Sequence, residues 1–404
     1  KLVRDTESVD MLKICLGTKY FDWAATSPAD PEILTQALQE SLEAGANPSA
    51  VHSEGQKARL SFENARALAA KVIGVKTEEV FFTSGGTESD HIPLLSLLNR
   101  EADSQGRRGS IIISGIEHPA LREQTAVLKK HGFEIITVNP DKNGFISADS
   151  IAEKITSDTL YVTVMAVNNE TGCIQPIYEI ADKITEKTKG KRRPHFHVDC
   201  VQAAGKIPLN LNYPGIDSAA LSAHKICGPR GIGILVLKKD IKPFLTGGGQ
   251  EKNIRSGTEN LFGAIAFAKC LEKYYVPLNF EEQKTAVKNF IESLKSLPNC
   301  ELVPAIRADT SDSTQKLFSP YVLQAAFKGI PGNVMVRALD AKGFCISTGS
   351  ACSAKKQNRP ILAAMNISRD IQDTAVRFSF GPLTTPDAIA KLFVAVEEVC
   401  KDFL

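Results

Sequence analysis

The chain has 404 residues, more than a single hydrophobic core usually supports, so two domains are expected. Hydrophobic residues make up 43% and charged residues 23%, the balance of a soluble globular protein. A formal net charge of only +2 gives no electrostatic case for nucleic acid or an anionic membrane as partner, and no apolar run approaches the ~20 residues of a membrane span.

The chain opens at Lys1 rather than at a methionine, which reads as a processed or trimmed product. The stretch from Lys1 to Lys19 lacks the continuous apolar core of a secretory signal. Nine cysteines, at positions 15, 173, 200, 227, 270, 300, 345, 352 and 400, are scattered without a C-x-x-C pair. That pattern predicts reduced thiols in a cytoplasmic compartment, with an organellar matrix as the alternative, and no disulfide framework.

From about residue 54 to 275, helical patterns alternate with short β-rich runs. Glu54 to Val72 reads as an amphipathic helix. Val80 to Thr83 reads as a strand, followed by Gly85-Gly86 and a helix through Leu98. Further strands are expected at Ser110–Ser114, Glu134–Val138, Leu160–Ala166, His195–Asp199, Ser218–Ser222 and Gly231–Leu237. This alternation predicts an α/β fold, a mainly parallel seven-stranded sheet flanked by helices, with ligands gathered at the carboxyl ends of strands. Past residue 280 the character changes. A helix from Glu281 to Leu297 leads into a mixed α+β stretch, closed by a helix from Pro386 to Leu404. Residues 31–275 are therefore expected to form a large domain. Residues 276–404 form a smaller α+β domain, joined by the N-terminal segment 1–30.

Several strings carry chemistry. Ser222-Ala223-His224-Lys225 ends an apolar run just before Gly228-Pro229-Arg230-Gly231. A lysine at a strand-to-loop junction suits a Schiff base with an aldehyde cofactor, and the adjacent hydroxyl and imidazole suit its phosphate. Asp199, ending its own strand, stands where a pyridinium nitrogen needs a carboxylate. Together the two suggest a pyridoxal-phosphate enzyme. Thr83-Ser84-Gly85-Gly86-Thr87-Glu88-Ser89, between strand and helix, reads alone as either a capped turn or an anion site. Beside Ser222, His224 and Lys225, phosphate binding at Gly86 and Thr87 is the better reading.

His195, His197 and Asp199 alternate along one strand and share a face, which could resemble a metal site. No second cluster supplies further ligands, so no metal is expected; a buried Asp199 facing the cofactor, with the two histidines packed behind it, fits better. His118 follows an apolar strand and is placed either to stack on a flat cofactor and exchange protons or to sit in a surface loop. Asn168-Asn169-Glu170 is a supportive turn motif. Ser347 to Ser353 is a run of small residues around Cys352, whose thiol suits a nucleophile. Arg377, on the alternating strand Val376 to Phe380, suits capture of an amino acid carboxylate.

Taken in order, these motifs resemble the NifS/IscS-like cysteine desulfurases, class V members of the fold-type-I pyridoxal-phosphate enzymes. The strings that carry the resemblance include Tyr20 to Thr26, Asn47 to His52, Gly86-Thr87, Glu117-His118, Asn168 to Glu170, Val198-Asp199, Ser222 to Lys225, Arg255 to Thr258, Ser350 to Cys352 and Arg377 to Ser379. The resemblance implies pyridoxal phosphate as cofactor, with Lys225 bonded to it, His118 stacked on it and Asp199 at its ring nitrogen. Asn169 and Gln202 would lie near the ring hydroxyl, while Gly86, Thr87, Ser222 and His224 hold the phosphate. Thr258 would reach the phosphate of a neighbouring subunit, which implies a homodimer. Arg377 and Asn47 are the implied substrate-binding residues.

The implied reaction is conversion of L-cysteine to L-alanine, with the sulfur held as a persulfide on Cys352 for sulfur transfer or iron–sulfur cluster assembly. A sulfur-acceptor protein would be a further partner. A selenocysteine lyase acting on L-selenocysteine is the alternative on the same scaffold, followed by an aminotransferase and a non-catalytic binding subunit. His91 stands where relatives often carry Asn, and Thr246 where His is common. The end at Leu404 reads as lacking the extended tail through which some relatives dock an iron–sulfur scaffold, an expectation that counts against such a scaffold as partner.

Overall fold

A computed structural model describes residues 19–277, 279–349 and 359–403. Cys15 and Cys352 lie outside the described residues, as does most of the segment expected to precede the large domain.

Seven strands form one sheet: β1 (Val80–Thr83), β2 (Gly109–Ser114), β3 (Phe133–Val138), β4 (Thr159–Thr163), β5 (His195–Asp199), β6 (Ser218–Ser222) and β7 (Gly233–Leu237). Their spatial order is β1-β7-β6-β5-β4-β2-β3. The neighbours from β3 through β6 are parallel, whereas β7 runs antiparallel to both β6 and β1. The sheet is thus mainly parallel, as the sequence predicts, with one reversed strand. The connection from Ser222 to Gly233 explains the reversal, since it is too short for the helical crossover that a parallel return requires.

Both faces of the sheet are covered. Every residue of β4, β5, β6 and β7 is buried, as strands covered on both faces must be. Along β2, Ile112 joins the main core, while Ile111 and Ile113 join a second cluster with Leu121 and Leu128 of the helix Pro119–Lys130. The main core also takes in the helices Ser53–Ile73 and Leu261–Tyr274.

Element ends differ from the sequence expectation where backbone chemistry intervenes. The helix expected to reach Leu98 stops as an α-helix at Leu95 and tightens into a 3₁₀ turn over Ser96–Asn99, with Pro93 inside its last turn. A proline there removes a helical N–H and crowds the preceding carbonyl. The strand expected over Leu160–Ala166 ends at Thr163, because the chain then bends into the Asn168 turn.

A second sheet, β10-β9-β8, is antiparallel and forms a smaller domain from β8 (Cys300–Val303), β9 (Val322–Phe327) and β10 (Ala375–Ser379). The helices Phe280–Lys295, Gly332–Ala341 and Pro386–Phe403 close its core. β9 is buried throughout: Leu323, Ala325 and Phe327 face that core, and Ala326 faces the main one. The segment after Lys19 joins the two units. Phe21 N–H donates to Cys345 O (2.8 Å) and Phe21 O accepts Ser379 N–H (2.8 Å). The Phe21 ring packs on Phe344 and Phe380, whereas Trp23 sits in the main core. Among the described residues no helix is long and apolar enough to cross a membrane.

Candidate active site

The carboxyl ends of the sheet's parallel strands open onto a pocket of about 250 Å³. Ten residues singled out in the sequence line it: Gly86, Thr87, His118, Asn169, Asp199, Gln202, Ser222, His224, Lys225 and Arg377. Each ends or follows a strand except Arg377, which projects from the middle of β10 in the smaller domain. The pocket is therefore built across both units.

Lys225 lies in the short 3₁₀ turn Ala223–Lys225 directly after β6. Its Nζ donates to the carbonyls of Ala24 (2.6 Å) and Ala25 (2.7 Å). These two carbonyls belong to the Tyr20-to-Thr26 segment, so the N-terminal strap holds the lysine in place. Ser222 ends β6, and His224 Nδ1 is 3.1 Å from Thr26 Oγ1. Burial, with Lys225 adjacent, lowers the His224 imidazole to about 4.

At the opposite wall, Gly85 caps the helix Gly86–Leu95 with φ 155° and ψ −179°, a backbone region essentially reserved for glycine. A Cβ on Gly86 would stand 2.7 Å from Val201 Cγ2 and 3.5 Å from Ser222 Cβ. Only glycine leaves that corner open, and the amides of the helix N-terminus face it, as an anion site requires.

Asp199 is buried, and its Oδ1 accepts the Val201 N–H (2.9 Å). Burial, with Asp90 nearby, raises its carboxyl to about 7. A cation set against it would favour the charged form. His118 caps the helix Pro119–Lys130, its Nδ1 accepting the Ala120 N–H at 3.2 Å. That bond places the proton of the neutral ring on Nε2. Burial and the neighbouring Lys225 lower His118 to about 4, so it is neutral at pH 7. Asn169 sits inside an Asx turn in which Asn168 Oδ1 accepts the Glu170 and Thr171 N–H groups, both at 3.0 Å. Its own Oδ1 is buried without a protein partner.

Arg377 is 1% exposed. Its Nη1 donates to Asn169 O (2.9 Å) and its Nη2 to Asp22 Oδ1 (2.7 Å), while Nε has no protein partner. Asn47 and Thr258 are exposed and do not line the pocket within this chain. Cys352 lies outside the described residues. Gly349 and Arg359, which flank that stretch, both lie against Glu170, whose Oε2 is 3.4 Å from Arg359 Nη2.

Sequence reasoning passed over Asp90 and the pairing of Asp22. Asp90 lines the pocket and meets His197 Nε2 (3.0 Å). His197 in turn shares Ser218 Oγ with His195, at 2.7 Å from each ring. His195, Ser218, His197 and Asp90 thus form a buried hydrogen-bonded series behind the pocket. Among the described residues no cluster of His, Cys, Asp and Glu is arranged to hold a metal ion. Asp22 carried a signal, its place in the Tyr20-to-Thr26 string, but nothing in sequence said that it faces Arg377.

The donor set fits pyridoxal phosphate. The glycine-only corner and its helix N-terminus would suit a phosphate, the buried carboxyl of Asp199 would suit a ring cation, and Asn169 Oδ1 is a buried acceptor in the same pocket without a protein partner.

Comparison with known proteins agrees. The family model described as Aminotransferase class-V matches residues 19–392. The chain is 33% identical over 387 residues to the cysteine desulfurase IscS of Dictyoglomus turgidum, covering 94% of each. It is 34% identical to a putative cysteine desulfurase, IscS 1, of Bacillus subtilis, covering 95% of this chain and 98% of that one. Among solved structures, a NifS-like protein superposes with a TM-score of 0.84 at 30% identity, covering 96% of this chain and all of that one (100%). SspA in complex with cysteine superposes with a TM-score of 0.76 at 27% identity, covering 91% and 100%. The chain belongs to the class-V aminotransferase family of pyridoxal-phosphate enzymes, and within it to the NifS/IscS cysteine desulfurases.

Proposed function

We propose that the protein converts L-cysteine to L-alanine with pyridoxal phosphate as cofactor and takes the sulfur as a persulfide on Cys352. The observation that carries the reading is the convergence of Lys225, Asp199, His118 and Arg377 on one pocket. When bound, the cofactor supplies an electron sink for the pair of electrons left when the substrate Cα proton is removed.

The chain's own groups do the rest. Lys225 would hold the cofactor, and its amine would take the substrate Cα proton. His118 already accepts a backbone N–H at Nδ1, so it offers an N–H at Nε2 rather than a free lone pair. Asp199 would face the ring nitrogen, Asn169 and Gln202 the ring hydroxyl, and Gly86, Thr87, Ser222 and His224 would hold the phosphate. Arg377 and Asn47 take the substrate carboxylate end. The thiolate of Cys352 attacks the substrate sulfur, the C–S bond breaks, and the product carbon is protonated to give alanine.

Thr258 and Asn47 act across a homodimer, Thr258 at the phosphate of the second copy. Two observations support this: both residues are exposed in the single chain, and Val51 and Leu60 present 91% and 63% exposed apolar side chains. Arg59, beside Leu60, pairs with Glu259, beside Thr258 (3.4 Å). The cysteines among the described residues are free thiols, which supports a cytoplasmic setting. A sulfur-acceptor protein, including one for iron–sulfur cluster assembly, would receive the persulfide.

Release of alanine and sulfide from L-cysteine, with and without a reductant, tests the reading. Equal yields of the two are expected with reductant, and an early halt without it. A keto acid in place of alanine would make the protein an aminotransferase. Turnover confined to L-selenocysteine would make it a selenocysteine lyase.

A further inference from the structure

Behind the pocket lies a second lysine that no motif above assigns. Lys206 is 6% exposed, and its Nζ donates to Gln202 Oε1. The other end of the same amide, Gln202 Nε2, donates to Ala24 O at 2.9 Å. That carbonyl also accepts Lys225 Nζ at 2.6 Å. A continuous hydrogen-bonded chain therefore runs from Lys206 through Gln202 and Ala24 to the lysine of the active site.

A glutamine amide has two orientations that exchange its oxygen and nitrogen, and its neighbours decide between them. The Ala24 carbonyl only accepts, so it selects Nε2. Lys206 supplies the donor that Oε1 then needs in a place closed to bulk water. Burial and the nearby cations Lys225 and Arg377 hold the Lys206 ammonium well below its ordinary range, yet both protonation states of an amine donate. The cavity that joins Lys206 to Lys225 measures about 20 Å³, close to the space of one water, so Lys206 has little room to swing away.

We propose that Lys206 is a positioning residue that locks the Gln202 amide so that its remaining N–H, not its carbonyl, faces the pocket beside Asn169. The inference rests on the pyridoxal-phosphate reading, in which a ring oxygen sits against Gln202. An N–H stabilises that oxygen, whereas a carbonyl in the same place repels it. Removing Lys206 frees the amide to turn and loosens the Ala24 carbonyl that also holds Lys225.

The test is a double-mutant cycle on cofactor binding, followed by the visible absorbance of the full chain titrated with pyridoxal phosphate. Lys206→Met is expected to weaken binding on the order of 10-fold, and Lys206→Arg, which keeps a donor, to stay within about 2-fold of wild type. Gln202→Ala is expected to weaken binding comparably, and Gln202→Ala/Lys206→Met no further than Gln202→Ala alone, because the lysine acts through the glutamine. Thermal melting of each variant confirms folding, and Lys206→Leu replaces Lys206→Met in the cycle if the latter does not fold. Wild-type affinity in Lys206→Met, or a double variant that loses the product of the two single losses, would overturn the inference. Failure of the wild type itself to take up pyridoxal phosphate would instead overturn the proposed function.

Discussion

Asp22 and Arg377 form an ion pair, 2.7 Å from Oδ1 to Nη2, that ties the N-terminal strap to β10, an edge strand of the smaller sheet. The guanidinium proposed to bind the substrate carboxylate is thereby oriented in advance. Asp22 and the Asn169 carbonyl hold its two terminal nitrogens, and Nε is left without a protein partner. Such preorganisation lowers the cost of ordering the group when substrate arrives.

A lysine at this position keeps the charge but not the fork. Arg377→Lys should raise KM for cysteine by about 10- to 100-fold, the loss of one or two charge-assisted hydrogen bonds. Cofactor absorbance should be unchanged. Steady-state kinetics beside an absorbance spectrum separate the two, and an unaltered KM would remove Arg377 from substrate binding.

Lys225→Ala should lose the visible absorbance of the lysine-linked cofactor after dialysis. Lys225 is the lysine that lines the pocket, and Lys206 is committed to Gln202 behind it. A dialysis-stable band in the variant would reassign the attachment site.

The Glu170–Arg359 pair is 3.4 Å long, with side chains 1% and 11% exposed. Glu170→Gln leaves the arginine with an uncompensated buried charge, which should cost about 3 kcal/mol of stability in chemical denaturation. A loss within the experimental error would show that Arg359 finds another partner.

His197 is buried between Asp90 and Ser218, and burial lowers it from 6.5 to about 4. Between those values the unfolded chain binds a proton that the native chain refuses, so stability contributed by His197 is present above 6.5 and is lost as pH falls towards 4. His197→Gln should therefore be less stable than wild type at pH 7, and the gap should narrow on acidification to about pH 4.5. A pH-independent gap in melting temperature would contradict this account of His197.

Much of the site was legible in the sequence because its chemistry stands where strands end. Lys225, Asp199, His118 and Asn169 each follow an apolar run, and an α/β sheet delivers such positions to one edge. The reversal of β7 could be anticipated only from the shortness of the loop before it. Contacts made by main-chain atoms were not legible: the Ala24 and Ala25 carbonyls that hold Lys225 lie in the Tyr20-to-Thr26 string, but nothing in it says which atoms meet the lysine. Asp22 and Arg377 lie at opposite ends of the chain, and only the fold brings them together. Lys206 was hidden because a lone lysine after a glycine reads as a solvated loop residue, and its burial is a tertiary fact. Asn47 and Thr258 were read through resemblance, and nothing in the single chain brings either of them to the pocket.

The central claim is that sulfur passes from cysteine to Cys352, and mass spectrometry of the protein after brief exposure to L-cysteine tests it most directly. The account predicts one extra sulfur on the peptide that contains Cys352. It also predicts that Cys352→Ala keeps the cofactor absorbance yet releases almost no alanine from cysteine. Extra sulfur on Cys345 or Cys227 instead, or wild-type desulfuration by Cys352→Ala, would contradict it.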